Sequence, residues 1–261
     1  MHSAQTCVAC PCASLSNGVE MIEIINGNGS FPCLIVCDHA SAHIPAALSG
    51  LGLAPGCDAL HIALDLGIEP VVRMLAAALD APAVLTGQSR LVLDTNRWIA
   101  DSQSIPESSD GVLIPGNIGL SETDRMDRQE RYFWPFHAAV AEQWAAIRAR
   151  HASPAFFALH SCTRQLALGS MRTMDGGTIW HEDSGFARML AQSLSDQFGL
   201  TIADNAPYSG IGGGSFTLDY HCWSSGKPAC GFEIVNDLIA EEAGQRHWAG
   251  YLAAGLRSVL Q

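Results

Sequence analysis

Leu34-Ile35-Val36-Cys37-Asp38-His39-Ala40-Ser41-Ala42-His43-Ile44-Pro45 (LIVCDHASAHIP) is the stretch from which the fold is read. Its opening apolar run, Leu34-Ile35-Val36, has the pattern of a buried strand. The run stops at a polar turn carrying Asp38, His39 and Ser41, with His43 four residues past His39. Open α/β sheets place their chemistry where a strand ends in such a turn.

Working outward, strands and helices alternate. Val19 to Ile25 reads as a strand closed by the turn Asn26-Gly27-Asn28-Gly29. A helix is expected over Ala59 to Leu79, with Asp58 as its N-cap and a kink or break at Pro70. On such a helix His61 and Asp65 share one face. Ala83-Val84-Leu85 and Arg90 to Asn96 (RLVLDTN) read as strands, and Trp98 to Ser121 as a long loop. Ser121 opens a charged helix, with Glu122 and Asp124 in its first turn, that runs to about Arg150 with a bend at Pro135. Ala155 to Leu159 is a buried strand delivering His160-Ser161. Further strands are expected within Met171 to Trp180, at Leu200 to Ala203, and at Ala229 to Val235, which carries Glu233. Helices are expected over Asp183 to Phe198, closed by Gly199, and over Leu238 to Leu260. This alternation argues one α/β domain over residues 20–261, a mixed, mostly parallel sheet with helices on both faces. Residues 1–19 read as a flexible tail. Their Cys7, Cys10 and Cys12 lack the second pair of a zinc finger.

Composition narrows the function. The chain has 261 residues, 48% hydrophobic, and a formal net charge of −12. Nucleic acid and anionic membrane surfaces both need a basic face, so both are excluded as expected partners. No secretory signal and no apolar run of roughly 20 residues is evident. The nine cysteines are an odd number, and Cys33, Cys37 and Cys230 lie in apolar runs, so a reducing, cytoplasmic setting is expected. Lys227 is the single lysine against thirteen arginines, the better residue for gripping carboxylates with two prongs.

The chemistry gathers at strand ends. His39 and His160 each follow an apolar strand, and Asp65 lies between them in sequence. Two histidines and a carboxylate with an open fourth position make a catalytic zinc site, with His61 and His43 as alternative ligands. Zinc supplies hydroxide near neutral pH and polarises a carbonyl. The proton shuttle it needs is Glu233, an acid among apolar neighbours in Gly231-Phe232-Glu233-Ile234-Val235, where burial raises its pKa. Arg90, Arg97 and Arg172 near strand ends are candidates to bind substrate carboxylates, with Asn96 assisting. The loop GIGGGS (Gly210 to Ser215) is not a dinucleotide fingerprint, no G-x-S-x-G elbow exists, and His137 reads as a core histidine beside Phe133 and Trp134.

In their order these motifs resemble the N-formylglutamate amidohydrolase family. The resemblance rests on DHASAHIP (Asp38–Pro45), HIALDLG (His61–Gly67), SRLVLDTNR (Ser89–Arg97) and SDGVLIPGN (Ser109–Asn117). It continues through Leu120-Ser121-Glu122, His160-Ser161, DNAPYSG (Asp204–Gly210) and EIVNDLI (Glu233–Ile239), and covers about residues 30–255. It implies a phosphorylase/hydrolase-like α/β fold related to zinc exopeptidases. The implied activity is hydrolysis of an N-acyl amino acid such as N-formylglutamate at one Zn2+, with a small anionic substrate as partner. Alternatives are a zinc peptidase or cell-wall-type amidase, or a non-catalytic small-molecule binder. The chain departs from the family pattern at Cys162-Thr163-Arg164, at Arg172-Thr173-Met174-Asp175 and at Asn236, which replaces the arginine of Glu-Ile-Arg.

Overall fold

The computed structural model describes residues 21–222 and 225–261. The cysteine-bearing tail lies outside the described residues, and none of the helices described is long and apolar enough to cross a membrane.

Seven strands form one sheet. In chain order they are β1 (Ile22–Ile25), β2 (Cys33–Cys37), β3 (Ala83–Thr86), β6 (Ala155–Cys162), β7 (Gly176–Ile179), β8 (Ile202–Ala203) and β9 (Ala229–Val235). Two further short strands, β4 (Ser108–Ser109) and β5 (Val112–Leu113), pair with each other around Asp110-Gly111 in a separate hairpin. The spatial order of the main sheet is β1-β3-β2-β6-β9-β7-β8. Strands β3, β2, β6 and β9 run parallel, whereas β1 and β7 run antiparallel to their neighbours β3 and β9. The sheet is therefore mixed and mostly parallel, as the alternation of elements requires.

Alternation along the central strands divides the core in two. Cys33, Ile35, Cys37, Phe157, Leu159, Phe232 and Ile234 face one layer of helices. That layer holds α1 (Ile68–Leu79), α4 (Gly185–Phe198) and α6 (Glu242–Leu260). Leu34, Val36, Phe156 and Ala158 face the opposite side, against α3 (Trp134–Arg150) and α5 (Phe216–Cys222). Burial on both faces is why these strands read as continuous apolar runs. The remaining helix, α2 (Glu122–Arg128), starts at a capping box in which Ser121 and Asp124 satisfy each other's backbone N–H groups. A π-helical turn, Gln129–Phe133, separates it from α3, so the break precedes Pro135, which occupies the first turn of α3.

Two elements differ from the expectation. The helix over Ala59 to Leu79 forms only from Ile68; residues 60–67 are turns, Asp58 lies in a short 3-10 turn and caps no helix, and His61 and Asp65 share no helical face. Gly67 is the N-cap, at φ +75°, and a Cβ there would lie 2.3 Å from the Ile239 carbonyl oxygen. Pro70 sits in the first turn of α1, where its missing N–H costs no intrahelical bond. The second correction is Arg90 to Asn96, a buried loop and not a strand. Leu91 and Val92 enter one apolar cluster and Leu93 another. Their backbone is satisfied from outside: Asn117 donates to Leu91 O at 2.9 Å and Arg128 to Val92 O at 2.9 Å. The long loop beyond Trp98 thus carries the hairpin and the side chain that holds this segment.

Candidate active site

The three adjacent parallel strands β2, β6 and β9 deliver the chemistry. His39 follows β2 by two residues. His160 lies inside the last turn of pleat of β6, and Glu233 stands beside it in register on β9. Asp65 comes from the turn ahead of α1. That turn is fixed to both strands: Asp65 N donates to His39 O at 3.0 Å, and Ser161 Oγ donates to Leu66 O at 2.8 Å.

His39, Asp65 and His160 converge, with one potential ligand atom from each within 4.8 Å of the others. His39 Nδ1 faces Asp65 Oδ1 at 3.4 Å, and His160 Nδ1 faces Asp65 Oδ2 at 3.0 Å. Each histidine turns its far nitrogen to another buried carboxylate. His39 Nε2 lies 2.8 Å from Asp94 Oδ1, and His160 Nε2 lies 3.3 Å from Asp38 Oδ2. This carboxylate–histidine arrangement fixes ring orientation and tautomer in metal sites. Asp38 is held in turn by Thr217 Oγ1 at 2.5 Å, and Asp94 by Arg90 and the Asn96 N–H at 2.9 Å.

The electrostatics fit a cation. Burial opposes ionisation of Asp65, but His39 and His160 outweigh it and hold the carboxyl well below its ordinary range. Asp94 is held down too, burial being outweighed by Arg90 and His39. For His160, burial is outweighed by the hydrogen bonds of Asp38 and Asp65, which lift it well above the usual imidazole value. Positive charge is needed among these carboxylates, and two imidazolium protons or one divalent ion meet that need. His39 Nδ1 is buried without a hydrogen-bond partner, so the donor set fits a metal.

Glu233 borders the same space. Its Oε2 is buried without a hydrogen-bond partner. Burial, partly offset by His160, pushes its carboxyl up to about 7. The cavity in front of it has a volume of about 240 Å³. His39, Asp65, His160, Arg97, Tyr208 and Ser215 contribute to its walls. His43 and His61 stand outside the trio; His61 Nε2 pairs with Asp110 Oδ2 at 3.1 Å. His137 is a satisfied core histidine, its Nε2 2.8 Å from Thr95 O.

The sequence pattern of the N-formylglutamate amidohydrolase family matches residues 31–240. The chain belongs to this family. It is 32% identical to the gene product Atu2144 from Agrobacterium tumefaciens, whose crystal structure superposes with a TM-score of 0.86 over 92% of this chain and 95% of that one. It shares its fold with the N-formylglutamate amidohydrolase from Ralstonia eutropha JMP134, at 16% identity and a TM-score of 0.67, covering 91% of this chain and 97% of that one. No curated protein matches the chain.

Within this member of the amidohydrolase family the three expected arginines diverge. Arg90 lines the cavity but gives Nε and Nη2 to Asp94, at 3.0 and 2.6 Å, and points Nη1 at Asp65. Arg172 donates to Thr163 O at 2.5 Å and to the Tyr208 hydroxyl at 3.0 Å, and its cation lies 5.1 Å from the Tyr208 ring centre. It braces a cavity residue from behind. Arg97 lines the cavity, and its guanidinium has no hydrogen bond or ion pair among the described residues. Beside it, Asn96 accepts through Oδ1 from Ser215 Oγ at 2.8 Å and Thr217 N at 3.1 Å, which leaves its amide N–H2 as a donor. Sequence reasoning did not single out Asp38, Asp94, Tyr208, Ser215 or Thr217. Asp38, Asp94 and Tyr208 stood inside the quoted motifs and Ser215 ended the quoted glycine-rich loop, without a role assigned to any of them; Thr217 lay outside every quoted stretch.

Proposed function

We propose that this chain is a metal-dependent amidohydrolase that cleaves the amide of an N-acyl amino acid with a short acyl group, formyl foremost. The observation that carries the reading is one cavity holding the His39–Asp65–His160 trio next to the unpartnered Glu233 carboxylate. The family's name offers N-formylglutamate as the first substrate to try.

His39, Asp65 and His160 would hold one zinc ion, which supplies Lewis acidity towards the acyl carbonyl and acidity to a water. Asp94 and Asp38 keep the two imidazoles oriented. Arg97, with the Asn96 amide, binds the substrate carboxylate by a charge-assisted contact. Glu233 accepts a proton from the attacking water as the carbon–oxygen bond forms. It then passes that proton to the amide nitrogen as the carbon–nitrogen bond breaks, and the water's second proton leaves the new acid for the amine, so the products are a carboxylate and an ammonium group. A purely binding protein has no use for such a group at this place.

The test combines metal analysis with turnover. Wild-type protein is expected to hold about one zinc per chain and to release formate from N-formyl amino acids. His39→Ala and His160→Ala are expected to lose both properties. Full metal content in these variants rejects the site. Retention of metal by Asp65→Ala, with loss in His61→Ala or His43→Ala, moves the third ligand.

A further inference from the structure

We infer that the substrate is a monoanion: one carboxylate on Arg97, and an uncharged apolar group where N-formylglutamate carries its second carboxylate. This rests on the amidohydrolase reading above and narrows its substrate class.

The first ground is a shortage of cations. Of the arginines near the cavity, Arg90 is committed to Asp94 and Asp65, and Arg172 to Thr163 and Tyr208. Arg97 is the one lining guanidinium without a hydrogen bond or ion pair among the described residues; it acts on Asp94 only through its charge at longer range. Asp65 and Glu233 face the same space. With the metal position taken up by the acyl carbonyl and the water, a second substrate carboxylate would enter beside Glu233 with no further cationic side chain of the cavity wall left to receive it, and an unpaired buried charge is strongly disfavoured.

The second ground is the wall next to the catalytic row. On β6, β9 and β7, residues His160, Glu233 and Gly177 stand side by side in register. Two residues along each strand stand Ala158, Gly231 and Ile179, also in register. The period of the pleat puts both rows on one face, separated by about 7 Å from the strand rise. The second row has no polar side chain. Leu218 of α5 closes over it: a Cβ on Gly231 would lie 3.2 Å from Leu218 Cδ1 and 3.1 Å from Ile179 Cβ. All four residues line the cavity. Ile179 and Leu218 thus pack close over Gly231, and the row gives the cavity an apolar wall against which an amino acid side chain, or the far end of a longer acyl group, would rest.

The third ground is size. At about 240 Å³ the cavity falls short of the roughly 300–1,000 Å³ of drug-sized sites, so the group is small.

The test compares zinc-supplemented full-length protein on N-formylglutamate, N-formylleucine, N-formylglycine and N-butyrylglycine. At least one apolar substrate is expected to exceed N-formylglutamate in kcat/KM by about tenfold or more, mainly through KM, since a few methylenes in a fitted pocket are worth that much. Preference for N-formylleucine assigns the row to the amino acid side chain, and preference for N-butyrylglycine assigns it to the acyl group. Equal or better use of N-formylglutamate overturns the inference and leaves the amidohydrolase reading standing. No turnover of any substrate overturns that reading instead. The inference is then judged by calorimetry of the same compounds on Glu233→Gln, where tightest binding of N-formylglutamate or binding of none overturns it. Gly231→Ala narrows the row and is expected to raise KM for the preferred apolar substrate about tenfold relative to N-formylglycine. Equal effects on both remove the row from substrate recognition. Should that variant not fold, Ile179→Val, which widens the row, is expected to shift KM between the same two substrates.

Discussion

His39 Nε2 stands 2.8 Å from Asp94 Oδ1, and this contact decides which nitrogen of His39 faces Asp65. With Asp94 accepting from Nε2–H, Nδ1 is the nitrogen facing Asp65 and would offer its lone pair to a metal. Asp94→Asn puts an amide in place of that acceptor and weakens the preference for this tautomer. Zinc affinity is expected to fall about 10–100-fold, as for other partners of metal-bound histidines. Competition with a chelator of known affinity measures it, and wild-type affinity would show that His39 needs no such partner.

Glu233 supplies the pH dependence. Burial raises its carboxyl to about 7, and a general base must be ionised, so kcat/KM is expected to fall as pH drops below about 7. Glu233→Gln should abolish that limb and lower kcat by about 10²–10⁴-fold with zinc retained. The linked stability has the opposite sense. A folded-state value raised above 4.5 gives stability that is present at low pH and lost as pH rises through about 7. In metal-free protein, Glu233→Gln is therefore expected to melt higher than wild type at pH 8. A lower melting temperature there would place Glu233 in a stabilising ion pair.

Gly67 joins the Asp65 turn to the segment after β9. Its positive φ and the Ile239 carbonyl, which would overlap an added Cβ, leave no room for a side chain. Gly67→Ala is expected to cost about 2 kcal/mol or more, from left-handed strain plus backbone displacement. Thermal unfolding reads the loss, and metal content should fall with it because Asp65 is two residues away.

Asn117 tests whether the Arg90–Asn96 loop depends on its distant supports. It is fully buried and donates to Leu91 O and Pro106 O while accepting from Arg128. Asn117→Ala strands these groups and is expected to cost about 1–3 kcal/mol per unmet partner. The variant that folds should show raised KM with kcat less affected, since Asn96 and Arg97 follow this loop. Unchanged KM would separate the loop from substrate binding.

Much of this protein was legible in the chain itself. Leu34–Val36, Ala155–Leu159 and Ala229–Val235 are runs whose burial on both faces writes itself into local composition, and Ser121 and Gly199 carry cap chemistry that depends on adjacent residues only. The residues His39, His160 and Glu233 were marked by their setting, polar groups at the ends of apolar strands or inside one, and Asp65 was the acid standing between the two histidines in sequence. The tertiary structure decided the rest. Arg90-Leu91-Val92-Leu93-Asp94-Thr95-Asn96 has the composition of a strand, yet Asn117 and Arg128 satisfy its carbonyls and no strand pairs with it. His61 and Asp65 have helical spacing, yet Gly67 starts the helix after both. Arg90, Arg97 and Arg172 look alike in sequence, and only their neighbours separate them: Asp94 for Arg90, no hydrogen bond or ion pair among the described residues for Arg97, and Tyr208 for Arg172. A guanidinium is charged wherever it sits, so its use is set by which carboxylate reaches it first, and that is a property of the packed sheet and its loops.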